Sequence, residues 1–143
     1  MSISQTATTS FKVELLQAVH NFGPTSPDTF KIALYTGLAN IGPTTTAYTT
    51  LNEVTGTGYT AGGQTLTISV SPTSGNNSSS VPTAYISFSN VTWPNSTFIA
   101  RGALIYNVTQ GNKSVAVLDF GSDKTANNDT FEVIFPTPDA NNA

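Results

Sequence analysis

The chain has 143 residues, enough for one domain around a single core and short for two. Five Lys or Arg, eight Asp or Glu and one His are its whole ionisable complement apart from tyrosine, and Cys is absent, so disulfides, thiolate metal sites and most proton-transfer chemistry lack their usual residues. The net charge is −3, and the cations Lys12, Lys31, Arg101, Lys113 and Lys124 are scattered singly, which argues against a nucleic-acid surface.

Hydrophobic residues at 38% and charged residues at 9% describe a folded chain rather than a disordered one. No apolar run approaches the roughly 20 residues of a membrane span, and the first ten residues lack the basic and apolar regions of a signal peptide. The expectation is a protein with no membrane or export step.

Residues 1–9 read as an extended arm. Ser10 is placed to cap a helix over residues 10–22, which Gly23 and Pro24 end. Phe11, Leu15, Val19 and Phe22 would share one face, widened by Leu16 and Ala18, and that face must pack on the protein's own sheet or on a neighbouring subunit.

Beyond the helix the period becomes that of strands. Residues 29–36 set Phe30, Ile32 and Leu34 against Lys31, Ala33 and Tyr35, and residues 64–71 set Leu66, Ile68 and Val70 inward. Residues 85–89 continue the alternation and Trp93 follows. Continuous apolar runs at 103–106 and 115–118 predict strands buried on both sides, joined by a hairpin connection over 107–113. Residues 130–135 form a last strand before Pro136.

Three stretches read as loops. Residues 36–63 are Gly-rich and long enough to hold a short strand or helical turn near 48–53. Residues 71–82 are Ser- and Asn-rich and read as a mobile connection, and residues 121–129 read as the turn of the last hairpin. Residues 136–143 read as a C-terminal arm. The sum is a single domain, 1–143. It is all-β, mainly an antiparallel β-sandwich over 29–135 or a jelly-roll-like variant, with one N-terminal α-helix.

Chemistry is sparse. His20 is the only imidazole, so any Ser-His scheme must use it, and its expected place in the last helical turn suits a structural role beside the macrodipole. A second His for a metal site is missing. Asp119, Asp123 and Asp129, with Asn127 and Asn128, carry oxygen ligands suited to Ca²⁺, but their spacing is not that of an EF-hand and the same residues are favoured in tight turns. Glu14, Glu53 and Glu132 lie on different elements. The glycines at 56, 58, 62 and 63 lack the lysine of a phosphate loop. Trp93, Tyr48, Tyr59, Tyr85 and Tyr106 suit either core packing or a sugar-stacking platform.

Several segments carry a resemblance: residues 9–20 (TSFKVELLQAVH), 28–36 (DTFKIALYT), 46–63 (TAYTTLNEVTGTGYTAGG), 100–107 (ARGALIYN) and 115–125 (VAVLDFGSDKT). Across most of the chain they resemble a family of small virion structural proteins of tailed bacteriophages and prophages. The resemblance implies a particle component, made in the host cytoplasm, with no enzymatic activity, catalytic residues, cofactor or metal. Its implied partners are the major capsid protein and copies of itself, with no nucleic acid, membrane or small-molecule ligand. A capsid decoration or cement protein is the leading expectation, and a tail or fibre component that binds a receptor, such as a glycan, is the alternative. The resemblance implies an apolar closing strand after residues 139–143, which is either short here or supplied by a neighbour. Phe11, Leu15, Trp93 and Arg101 form the expected set of subunit contacts, and Arg101, the lone arginine, also suits a fixed carboxylate within the chain.

Overall fold

A computed structural model describes residues 2–142. In chain order its elements are β1 (Thr6–Ala7), α1 (Thr9–Leu16), β2 (Phe30–Tyr35), β3 (Gln64–Leu66), β4 (Ile68–Asn76), β5 (Pro82–Phe88), β6 (Val91–Asn107) and β7 (Lys113–Val133). Five strands pair in the order β1-β7-β6-β2-β3, and β4 pairs with β5 in a second, two-stranded sheet. Every ladder is antiparallel. The result is the mainly antiparallel β-sandwich with one short helix that the alternating residues predict.

Phe30, Ile32 and Leu34 of β2 point into the main core with Leu66, Phe88, Trp93, Phe98, Ile105 and Phe131. The opposite face of the same strands is buried too. Ala33 and Tyr35 of β2, Leu104 and Tyr106 of β6 and Val117 of β7 are covered by Ala39, Ile41 and Tyr48 from residues 36–63 and by Ile3. That long connection therefore acts as a lid on the outer face of the sheet. It holds isolated bridges at Ile41, Ala47, Glu53 and Thr57 and no strand or helix of its own.

The two longest strands turn a corner. Phe120 and Phe131 both lie on β7, eleven positions apart, yet their ring centroids are 6.1 Å apart; a straight strand would separate them by roughly 36 Å. The bend falls where the β6–β7 register breaks, between Trp93 and Thr97, with Asn95 (φ 50°) and Asn128 (φ 51°) in left-handed conformations. Asn tolerates that region better than other side chains do. Ser96 is fully buried at the bend and its hydroxyl donates to the Trp93 carbonyl at 2.8 Å.

A second irregularity lies nearer the sheet centre. Ala100 opposes Lys124 and Gly102 opposes Asp119, so β7 uses five steps where β6 uses two. Residues 120–123 form a bulge as a result. Gly102 lies where a side chain would meet the Leu118 carbonyl at 2.5 Å and Ile3 at 2.9 Å, so only glycine lets the N-terminal segment cross there.

Four expectations are corrected. The helix starts at Thr9, because the Thr8 hydroxyl rather than Ser10 accepts the Phe11 N–H, and it ends at Leu16 rather than residue 22, with Ala18 in a left-handed conformation (φ 57°). Residues 71–76 are not a loop but belong to β4, leaving only 77–81 to connect it to β5, and residues 121–129 belong to β7. Their Gly, Asn and Asp mark a bulge and a corner inside a strand. The terminal segments are not extended arms: Ser4 N–H donates to Ile41 O at 3.0 Å, and Asn141 Oδ1 accepts the Ser78 N–H at 2.7 Å. Met1 and Ala143 lie outside the described residues.

Candidate functional site

The four expected contact residues are not brought together. Trp93 is 1% exposed, stacked 6.2 Å from Tyr59 and edge-on to Phe131 at 6.0 Å. It belongs to the core and corrects both the contact assignment and the sugar platform, as does the burial of Tyr106 beneath Tyr48, with ring centroids 4.7 Å apart. Phe11 is half-buried against Phe22 at 6.0 Å. Leu15 is 45% exposed.

Arg101 sits opposite the β7 bulge, its Nε 3.5 Å from Asp119 Oδ1 and its Nη1 3.9 Å from Asp123 Oδ1. The arginine thus ties both ends of the bulge from across the ladder. Asp119 also accepts the Gly121 N–H at 2.9 Å. Asp119 and Asp123, two of the three carboxylates considered for Ca²⁺, are therefore engaged with an arginine and a turn, and Asp129 accepts the adjoining Thr130 N–H at 2.7 Å. Among the described residues no three His, Cys, Asp or Glu side chains group closely enough to hold a metal.

The helix inverts its expected pattern. Glu14 is its buried residue, while Val13, Leu15 and Leu16 face outward, Leu16 at 91% exposure. The cause is tertiary: Glu14 Oε1 accepts from Lys113 Nζ at 2.9 Å and Oε2 from the His20 ring at 2.7 Å. Burial alone would raise the Glu14 pKa, but the bonds from Lys113 and His20 outweigh it and hold the carboxyl below its ordinary 4.5. His20 is therefore not in a helical turn; it is buried beyond the helix, between Phe11 and Phe22. Asp28 behaves as Glu14 does. Its burial is outweighed by bonds from Asn107, the Asn21 N–H and Gln110, which lower its pKa.

A second polar centre lies under the lid. Glu53, 6% exposed, accepts from Tyr48 Oη at 2.8 Å, Tyr59 Oη at 2.7 Å and the Gly62 N–H at 2.7 Å. Tyr106 donates to Gly62 O at 2.7 Å and Tyr35 to Thr49 O at 2.5 Å. Burial pushes the Tyr106 hydroxyl up to about 12, and burial together with the Glu53 charge raises Tyr35, Tyr48 and Tyr59 further. Sequence reasoning missed Glu53 because its partners are spread over residues 48–62 with no period to betray them.

Among the described residues no buried side-chain nitrogen or oxygen lacks a partner. The polar groups inside this chain tie segments together. The surface carries the opposite character: Leu16, Leu51, Ile134, Leu38 and Val81 are exposed, and Leu38 and Leu51 stand on adjoining turns joined by the Asn52 amide at 3.1 Å. A groove of about 400 Å³ runs beside β7 between Phe120, Lys124, Phe131 and Ile134. An apolar recess of about 310 Å³ lies beneath the C-terminal segment, bounded by Ile86, Phe88, Ile105, Leu118 and Phe135. No helix among the described residues is long and apolar enough to cross a membrane. The chain matches no protein-family model, no curated protein and no solved structure.

Proposed function

We propose that this chain is a non-enzymatic structural protein of a tailed-phage or prophage particle, a decoration or cement protein that binds the major capsid protein and copies of itself on the head. The observation that carries the reading is the division between inside and surface. Glu14, His20, Asp28 and Glu53 spend their polar atoms on protein partners, while Leu16, Leu38, Leu51 and Ile134 stand in solvent. Proton-transfer catalysis needs its titratable groups in reach of a substrate; contact surfaces need exposed apolar side chains with polar surroundings. The resemblance of segments 9–20, 28–36, 46–63, 100–107 and 115–125 supplies the particle.

The contact surface is formed by α1 and the loop tips rather than by strand addition. Beyond Val117 the outer edge of β7 carries no strand among the described residues, but the 120–123 bulge interrupts it and Lys124 lies beside it. Bulges and lysines are the devices that keep exposed edges from pairing indiscriminately. Many weak copies of such a contact stabilise a shell by mass action. The test is to add purified protein to heads that lack it. Binding with a gain in heat or chelator resistance is expected, weakened by Leu16→Asp and Leu51→Asp; heads left unbound and no more resistant would overturn the reading.

A further inference from the structure

A buried relay joins α1, the loop ahead of β2 and the β6–β7 turn. The His20 ring, wholly shielded from solvent, stands between Glu14 and Asn107: Nε2 is 2.7 Å from Glu14 Oε2 and Nδ1 is 2.9 Å from Asn107 Nδ2. Neighbours fix the direction of both bonds. Asn107 Nδ2 also lies 2.7 Å from Asp28 Oδ2, a carboxylate oxygen that only accepts, and Asn107 Oδ1 accepts the Gln110 N–H at 3.2 Å. The amide therefore presents its NH₂ to His20, Nδ1 accepts, and Nε2–H donates to Glu14. The site is built for a neutral imidazole in one tautomer.

We propose that this arrangement is a pH-operated latch on the β6–β7 turn. A proton taken from solvent by Nδ1 sets an N–H against the Asn107 NH₂. Relief requires the Asn107 amide to move off the ring rather than turn over, since a half-turn would set its oxygen against the Asp28 carboxylate, and that displacement loosens its bonds to Asp28 and to the Gln110 N–H. The charged groups facing the ring pull in both directions. Glu14 from α1 and Asp28 from the loop favour the imidazolium, and Lys113 from β7, bonded to the other Glu14 oxygen, opposes it. Phe11 and Phe22 flank the ring at 5.0 and 6.4 Å and leave it no polar alternative. The strain of protonation is thus directed at residues 108–112, which are also held by Val108 N–H donating to Thr29 O at 2.9 Å, Thr29 N–H donating to Thr109 Oγ1 at 2.8 Å, Tyr48 N–H donating to Asn112 O at 2.9 Å and the Gln110 side-chain amide donating to Asp28 at 3.3 Å. The latch stands whether or not the particle reading does, because its evidence is the hydrogen-bond geometry alone.

The test is NMR on the intact protein across the range in which imidazole changes charge, about pH 8 to 5. At the upper end the ring nitrogens should report the Nε2–H tautomer. As the pH falls through that range, the hydrogen-exchange protection factor of the Gln110 amide should fall by about tenfold, the weight of one lost hydrogen bond, while that of Leu104 stays constant. His20→Phe keeps an aromatic ring between Phe11 and Phe22 and should abolish the response. An Nδ1–H tautomer at the upper end, or Gln110 protection unchanged through the titration of the unsubstituted protein, would overturn the latch.

Discussion

The inner and outer faces of the five-stranded sheet are both buried, but by different physics. The inner face meets the second sheet through side chains that carry no polar atoms or hide them, such as Phe30, Ile32, Leu34 and Phe131. The outer face meets residues 36–63, an irregular segment whose backbone groups need partners. Tyrosine answers both needs, since its ring supplies apolar area and its hydroxyl reaches a carbonyl or a carboxylate. Hence Tyr35, Tyr48 and Tyr106 gather near Glu53 and Gly62 on that side, and Tyr59 reaches Glu53 with its hydroxyl from the inner core, where its ring packs on Trp93 and Phe98. A lid without strands of its own can be as closed as a sheet if buried hydrogen bonds replace the ladder.

Alkaline pH should break this symmetry most strongly. The tyrosines have raised pKa values, so in the fold they keep protons that the unfolded chain loses above its ordinary value of 10.0. Their contribution is complete below pH 10 and is lost as the pH climbs towards the folded values, at about 1.4 kcal/mol per pH unit for each tyrosine that stays protonated. Hydrogen exchange should show Ala39 and Tyr48 of the lid opening first; simultaneous loss of the inner strands would erase the distinction.

Trp93→Ala probes the other face. Removing a fully buried indole should cost about 3–5 kcal/mol in urea denaturation, with little dependence on pH. Glu53→Gln should cost about 2–3 kcal/mol, because a neutral amide cannot accept all three bonds that the carboxylate takes. Its signature is lower protection at the Gly62 amide, whose N–H Glu53 accepts, with a change in Trp93 fluorescence carried by Tyr59, which bonds Glu53 and stacks on the indole. Arg101→Ala should matter least, about 0.5 kcal/mol, since its ion pairs are long and partly exposed; a larger loss in thermal melting would mean that the bulge is a structural hinge.

The same contrast governs what could be read in the sequence. Phe30, Ile32 and Leu34 were legible because period-two alternation is a local property, and the runs at 103–106 and 115–118 were legible because a doubly buried strand has no polar face to alternate. The tie between Arg101 and nearby carboxylates was open as one of two readings. What stayed hidden depends on contacts distant in sequence. The early end of α1 follows from the bonds of Glu14 to His20 and Lys113, and no helix period encodes them. The corner at Asn95 and Asn128 looks like a loop, because the residues that bend a strand are those that end one. Glu53 reads as an ordinary loop carboxylate until the lid folds down and surrounds it.

The claim that this chain works through repeated contact is tested most directly by locating and counting it in a particle. A low-resolution density map of particles with and without the protein should show it at every symmetry-related position on the outside of the head, with Leu16 and the Leu38–Leu51 tips turned towards the shell or a neighbouring copy. Density at the tail in a multiple of three or six, or no difference between the two maps, would contradict the account.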